Sequence, residues 1–225
     1  MSTLIAFIGV GNMGCPMAEN LMKAGKNVKV FDVSKKMLEV AKDKNLKIAE
    51  NLSDLITGDV GTVITMLPEG KHSKEVYLGE NGIIDKVSEN CLLIDCSTID
   101  IQTSIEIGKK ASEKKIDMID APVSGGVMGA KKATLNIMVG GLKEAFEKAL
   151  PLLKIMGKNI FHAGDLGSGN GAKICNNMAL GIAMIAASES LMLAKRLNID
   201  IKKVHEIMKN ASGNSWPISV YPPLP

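Results

Sequence analysis

The segment Leu4-Ile5-Ala6-Phe7-Ile8-Gly9-Val10-Gly11-Asn12-Met13-Gly14 decides the fold. Leu4–Ile8 is continuously apolar, the pattern of a strand covered on both faces. It runs straight into Gly-x-Gly-x-x-Gly. Met13, Met17, Leu21 and Ala24 then recur at helical spacing, with Glu19, Asn20 and Lys23 opposite, and Gly25 closes the helix. Val28–Phe31 reads as a second strand ending at Asp32. Strand, glycine turn, helix, strand and acid together make the full dinucleotide-binding unit. Gly9 permits the tight turn, Gly11 lets a pyrophosphate reach the backbone, and Gly14 lets helix and strand pack closely. Asn12 and Met13 complete the turn. The helix N-terminus offers free N–H groups to phosphates, and Asp32 can accept hydrogen bonds from the ribose 2′- and 3′-hydroxyls.

The alternation continues outward from this unit. Ser34 is placed to cap a helix reaching Lys44. A short strand follows near Ile48, then a short helix over Leu52–Ile56. Val60–Met66 is a strand that stops at Leu67-Pro68. Leu92–Asp95 is another, running into Cys96-Ser97-Thr98. After it come a helix over Ile101–Lys114, strands over Ile116–Ile119 and Leu135–Val139, a helix broken near Pro151, and a strand over Ile160–His162. This order predicts an α/β fold, a Rossmann-type doubly wound sheet over residues 1–164, its later strands free to run antiparallel. Ligands in such sheets lie beyond the carboxyl ends of the strands. That rule selects Gly9–Gly14, Asp32, Leu67-Pro68, Ser97-Thr98 and the loop Asp120–Gly126.

In that last loop Pro122 stiffens the chain, Ser124 offers a hydroxyl, and Gly125-Gly126 expose backbone N–H groups. Together they can hold a carboxylate; the same residues also make an ordinary Ser-Gly-Gly turn. Further on, Gly167, Gly169 and Gly171 open a long small-residue apolar segment through Leu197, expected to be a buried helix that begins a C-terminal all-α domain over 165–225. One cation, Lys173, sits near its start, and Asn177, four residues later, leaves the same face. A lysine there can snorkel to solvent, pair with a carboxylate, or line a cleft as a proton-transfer group.

Composition excludes other classes. The lysine doublets at 35–36, 109–110, 114–115, 131–132 and 202–203 are interleaved with acids and lack aromatic partners, so no nucleic-acid partner is expected. The longest uninterrupted apolar run, Met178–Ala187, is short for a bilayer core of ~30 Å, so no membrane partner is expected. The N-terminus lacks a basic n-region and an Arg-rich leader, which points to the cytoplasm. Cys15, Cys91, Cys96 and Cys175 show no metal-ligand spacing and read as reduced core thiols; no metal site is expected.

At this point the residues resemble the β-hydroxyacid dehydrogenase family along the whole chain. Gly9–Gly14 with Met17-Ala18-Glu19-Asn20-Leu21 is similar to its nucleotide fingerprint. Asp120–Gly126 is similar to its substrate loop, Gly129-Ala130 with Ile137–Gly141 to its next block, and Gly167–Asn177 to its catalytic block. Ala211-Ser212-Gly213 and Trp216 lean toward its hydroxyisobutyrate branch. The resemblance implies NAD as cofactor and oxidation of 3-hydroxyisobutyrate to the semialdehyde, in valine catabolism. Related tartronate or succinic semialdehyde reduction and a non-catalytic dinucleotide-binding scaffold stand as alternatives. It implies Lys173 as general acid/base, Ser124, Gly125, Gly126 and Asn177 as substrate-binding, Leu67, Pro68 and Thr98 lining the nicotinamide side, and His72 as a further cofactor contact. His72 stands where close relatives often carry asparagine. Members continue past the end of this sequence, so the chain is expected to be an early-terminated member with a partial helical domain. Its long helix is then expected to pair with a second copy through Gly171–Leu197, with activity reduced or absent.

Overall fold

The computed structural model describes residues 3–57 and 60–224. In chain order the elements are β1 (Leu4–Ile8), α1 (Gly14–Lys23), β2 (Val28–Phe31), α2 (Lys35–Asp43), β3 (Lys47–Ile48), α3 (Leu52–Leu55), β4 (Val60–Thr65), α4 (Gly70–Leu78), β5 (Leu92–Asp95) and α5 (Ile101–Glu113). There follow β6 (Asp117–Asp120), β7 (Val123–Ser124), α6 (Gly126–Lys131), β8 (Leu135–Gly140), α7 (Lys143–Met156), β9 (Gly157–Gly164), α8 (Ser168–Arg196), α9 (Ile201–Asn210) and α10 (Trp216–Val220). The chain forms two compact units, Met1–Lys173 and Ile174–Pro225. Met1, Ser2 and Pro225, on which the readings of the termini partly rest, lie outside the described residues.

The first unit is one nine-stranded sheet in the order β3-β2-β1-β4-β5-β6-β8-β7, with β9 paired to β8. The pairs from β3 through β6 are parallel. β8 runs antiparallel to β6 and β7, while β9 runs parallel to β8. The chain winds outward from β1 to β3, then crosses back to β4, so the order reverses between β1 and β4.

β1 is apolar throughout because each face of the sheet carries its own core. Ile5 and Phe7 join Val28, Val30 and Ile94 under Met17 and Leu21 of α1 and Ala149 and Leu153 of α7. Leu4, Ala6 and Ile8 point the other way, to Leu93, Tyr77 of α4 and Ile107 of α5. The two-residue period of the strand thus feeds both layers.

Several sequence expectations are corrected. α7 is not broken at Pro151 but continues through it. Its buried side, Ala145, Ala149, Leu153 and Met156, holds the helix together. Pro151 and Glu147 face solvent, so water can satisfy the carbonyl that the proline leaves without a donor. The prolines after Ala211 do not prevent a last short helix, because α10 carries Pro217 in its first turn, where a missing N–H costs nothing. Ser34 occupies the N-cap position of α2, but its side chain makes no capping bond. The helices α4 and α6 and the short strand β7 were not anticipated; they are brief and Gly-rich or weakly periodic.

In the second unit α8 is not a buried helix. Ala187, Leu191 and Ala194 are buried, whereas Met178 is 64% exposed, Ile182 61% and Ile185 65%. His205 on α9 bonds through Nε2 to the Ile218 carbonyl oxygen at 2.8 Å. Trp216 and Tyr221, bracketing α10, stack at a ring separation of 6.3 Å.

Candidate active site

The reversal of strand order leaves a cleft beyond the carboxyl ends of β1 and β4, as the switch-point rule requires. It encloses about 580 Å³ and is lined by Gly9, Gly11, Asn12, Met13, Gly14, Asp32, Leu67, Pro68 and His72. Gly9 turns the chain at a φ of 91°, where a side chain would be strained and its Cβ would strike the Met66 carbonyl. A Cβ on Gly14 would collide with the Gly9 carbonyl, so helix and strand meet only because both residues are glycine. A Cβ on Gly11 would touch no protein atom. The bare backbone at Gly11 faces open space, and a pyrophosphate fits there.

Asp32 closes the cleft's far end. Its Oδ2 accepts the Val10 N–H at 2.8 Å and its Oδ1 the Ser34 N–H at 2.8 Å. The carboxylate is therefore held in place with lone pairs left for ribose hydroxyls. Val33, Met37 and Leu52 add an apolar wall that sequence reading missed. Val33 is 92% exposed. Its place directly after Asp32, an apolar residue following the acid that ends a strand, is the sequence signal that would have flagged it.

A buried polar node lies beneath the other end. Thr65 Oγ1 donates to Asp95 Oδ1 at 2.8 Å and lies 2.8 Å from the Tyr77 hydroxyl. Ser97 N–H donates to the same Asp95 oxygen, and Ser97 Oγ accepts the Leu67 N–H at 2.8 Å. The loops after β4 and β5 are thus pinned to each other. Burial pushes the Asp95 carboxyl up, with its hydrogen bonds pulling the other way, and lifts the Tyr77 hydroxyl well above its ordinary range. His72 Nδ1 is buried without a hydrogen-bond partner. Thr98 is exposed on the loop after β5 and is not among the residues lining the 580 Å³ cleft.

Ser124 ends β7, paired with Asn136 of β8. Gly125 and Gly126 follow at φ values of 135° and 61°, both exposed, a positive-φ backbone that favours glycine. At the base of this loop Asp120 is fully buried. Burial raises its carboxyl pKa, while N–H donors from Gly167 and Asn170 pull it down. Those donors belong to the start of α8, so the helix of Lys173 begins beside the loop of Ser124.

Lys173 is 8% exposed. Among the described residues it has no ion pair and no hydrogen bond. Burial alone lowers its pKa. Of the three readings open to it, pairing with a carboxylate is excluded by this geometry, and snorkelling by its burial. Asn177 lies four residues further on the same helix, exposed, within the second unit. No group of His, Cys, Asp and Glu able to hold a metal occurs among the described residues.

Known proteins resemble the chain along nearly its whole length. Residues 4–164 match the family described as the NAD binding domain of 6-phosphogluconate dehydrogenase. Residues 167–223 match that described as NAD-binding of NADP-dependent 3-hydroxyisobutyrate dehydrogenase. The chain is 46% identical to a 3-hydroxyisobutyrate dehydrogenase of Pseudomonas aeruginosa, over 99% of this chain and 74% of that protein. It is 42% identical to an NAD-dependent L-serine dehydrogenase of the same organism, over 98% of this chain and 74% of that one. A solved 3-hydroxyisobutyrate dehydrogenase of Mycobacterium tuberculosis with L-serine superposes with a TM-score of 0.93 at 36% identity, covering 100% of this chain and 76% of that one.

Proposed function

We propose, from the premise that this chain belongs to the 3-hydroxyisobutyrate dehydrogenase family, that it oxidises a small 3-hydroxy acid with NAD, 3-hydroxyisobutyrate first among candidates. The observation that carries this is Lys173: a buried lysine with no partner, at the start of the helix opening the matched segment 167–223. L-serine is itself a 3-hydroxy acid, and both the L-serine dehydrogenase relative and the L-serine-bound structure favour it as a second reading.

The turn Gly9–Gly14, with Asn12 and Met13, and the carboxylate of Asp32 would hold the dinucleotide, with Leu67, Pro68, His72 and Thr98 toward the nicotinamide. When bound, NAD supplies the hydride acceptor for the alcohol carbon. Lys173 takes the hydroxyl proton during oxidation and returns it in reduction; burial brings its amine toward the range where this is effective. Ser124 and the bare N–H groups of Gly125 and Gly126 hold the substrate carboxylate, and Asn177 orients the substrate.

We place the boundary between the NAD-binding and helical domains at 164/165, between the two matched segments. We assign the protein to valine breakdown in the cytoplasm. Its cysteines are free, Cys15, Cys91 and Cys96 buried and Cys175 exposed, as suits a reducing compartment. By length and composition alone α8 is long enough to cross a membrane. We read its exposed apolar face as a surface that meets a second copy of the chain.

The test is a panel of hydroxy acids and semialdehydes with NAD and with NADP. Turnover of 3-hydroxyisobutyrate with NAD is expected to lead, and Asp32→Ser is expected to narrow the cofactor preference. Faster turnover of L-serine would promote the second reading. Cofactor binding with no turnover of any hydroxy acid would defeat both.

A further inference from the structure

Two buried side chains tie together three segments of the site. Asp120 ends β6 and begins the loop of Ser124. Its Oδ1 accepts the Gly167 N–H at 2.7 Å and its Oδ2 the Asn170 N–H at 2.7 Å. Asn170 lies in the first turn of α8 and is fully buried. Its Oδ1 accepts the Ile99 N–H at 3.0 Å, and its Nδ2 donates to Ser104 Oγ at 3.0 Å. Ile99 follows Thr98, and Lys173 lies one helical turn after Asn170. The packing around this link is close: a Cβ on Gly140 or Gly169 would strike the Asp120 carboxylate.

We infer that Asp120 and Asn170 are positioning residues, a brace that sets the turn carrying Lys173 against the loops of Ser124 and Thr98. An amine with no partner of its own is located by the backbone that bears it, and this backbone is fixed by Asp120 on one side and Ile99 on the other. The inference rests on the reading of Lys173 as the proton-transfer group.

Asp120→Asn keeps the shape but turns an amide NH₂ toward one of two N–H donors, so one bond is lost. Amide hydrogen exchange is expected to quicken at Gly167 and Asn170 and also at Ile99, which Asp120 does not touch; Gly9–Gly14 should be unaffected. The NAD dissociation constant should stay within about twofold, while kcat falls ~10-fold or more with a smaller change in KM, as misplacement of a reacting group produces. Unchanged exchange at Ile99, or kcat and NAD affinity falling together, would overturn the brace. If Asp120→Asn does not fold, Ser104→Ala loosens Asn170 without disturbing a buried charge, and the same quickening at Ile99 decides. Lys173→Ala separates the two ideas. If it keeps its turnover, the proton-transfer reading falls and exchange at Ile99 still decides the brace. If it is inactive while Asp120→Asn leaves Ile99 and kcat unchanged, the brace alone falls.

Discussion

A lysine buried without a carboxylate or carbonyl to replace its hydration holds its proton weakly, and this is the state of Lys173. Lys173→Ala is expected to leave NAD affinity nearly intact and lower turnover by at least ~10²-fold. The pH dependence has a definite sign. Oxidation needs the neutral amine, so its rate rises as pH climbs through the lowered pKa and then levels; reduction needs the ammonium and declines over the same window. An ordinary lysine would put that window near 10.5. Rate profiles in both directions check this, and a rising limb at or above that value, or a Lys173→Ala variant within a few-fold, would make Lys173 structural. In the sequence Lys173 stands out as a lone cation among small apolar residues, but only the family resemblance pointed it to proton transfer. The Asp120–Asn170 link was not legible there, because its partners lie 47 to 71 residues apart and no local spacing joins them.

Among the elements, α7 shows how tertiary packing overrides a breaker. A proline inside a helix costs about 3 kcal/mol through the lost hydrogen bond and the ring clash. The buried face from Ala145 to Met156 outweighs that, and the solvent face absorbs the defect. Pro151→Ala should therefore stabilise the protein, by roughly 1–3 kcal/mol less whatever the proline gained by restricting the unfolded chain. Denaturant unfolding measures it; a destabilised variant would show that the proline ring itself contributes to packing. The helix α6 was illegible for a different reason: Gly125 and Gly126 read as a turn, and only Leu135 of β8 packed against Gly129 shows that a helix follows. The strand, turn and helix of β1 and α1 were legible because each glycine there has one conformational or steric job.

On the scale of the whole molecule, α8 presents Ile174, Met178, Ile182 and Ile185 along one exposed face. A stripe of that kind in water invites a partner. Ile182→Asp is expected to turn dimers into monomers in sedimentation velocity runs while NAD affinity stays unchanged, because the cleft lies wholly within residues 8–81. A protein that is monomeric before the substitution would remove the pairing proposal.

The local order of strand, glycine turn, helix and acid was determined by the sequence alone, because it depends on side-chain period and on where glycine is sterically required. So was the membership of Gly9, Gly11, Asn12, Met13, Gly14, Asp32, Leu67 and Pro68 in one cleft, which follows from the rule for carboxyl ends of parallel strands, whereas His72 was pointed to only by the family resemblance. Tertiary structure decided what no period encodes. It left Thr98 off the cleft's lining and α8 largely exposed, and carried α7 through its proline. It also brought Asp120, Asn170 and Ile99 together across the fold. These depend on which surfaces meet, and hydrogen bonds between distant segments form only once burial has removed water as the competing partner.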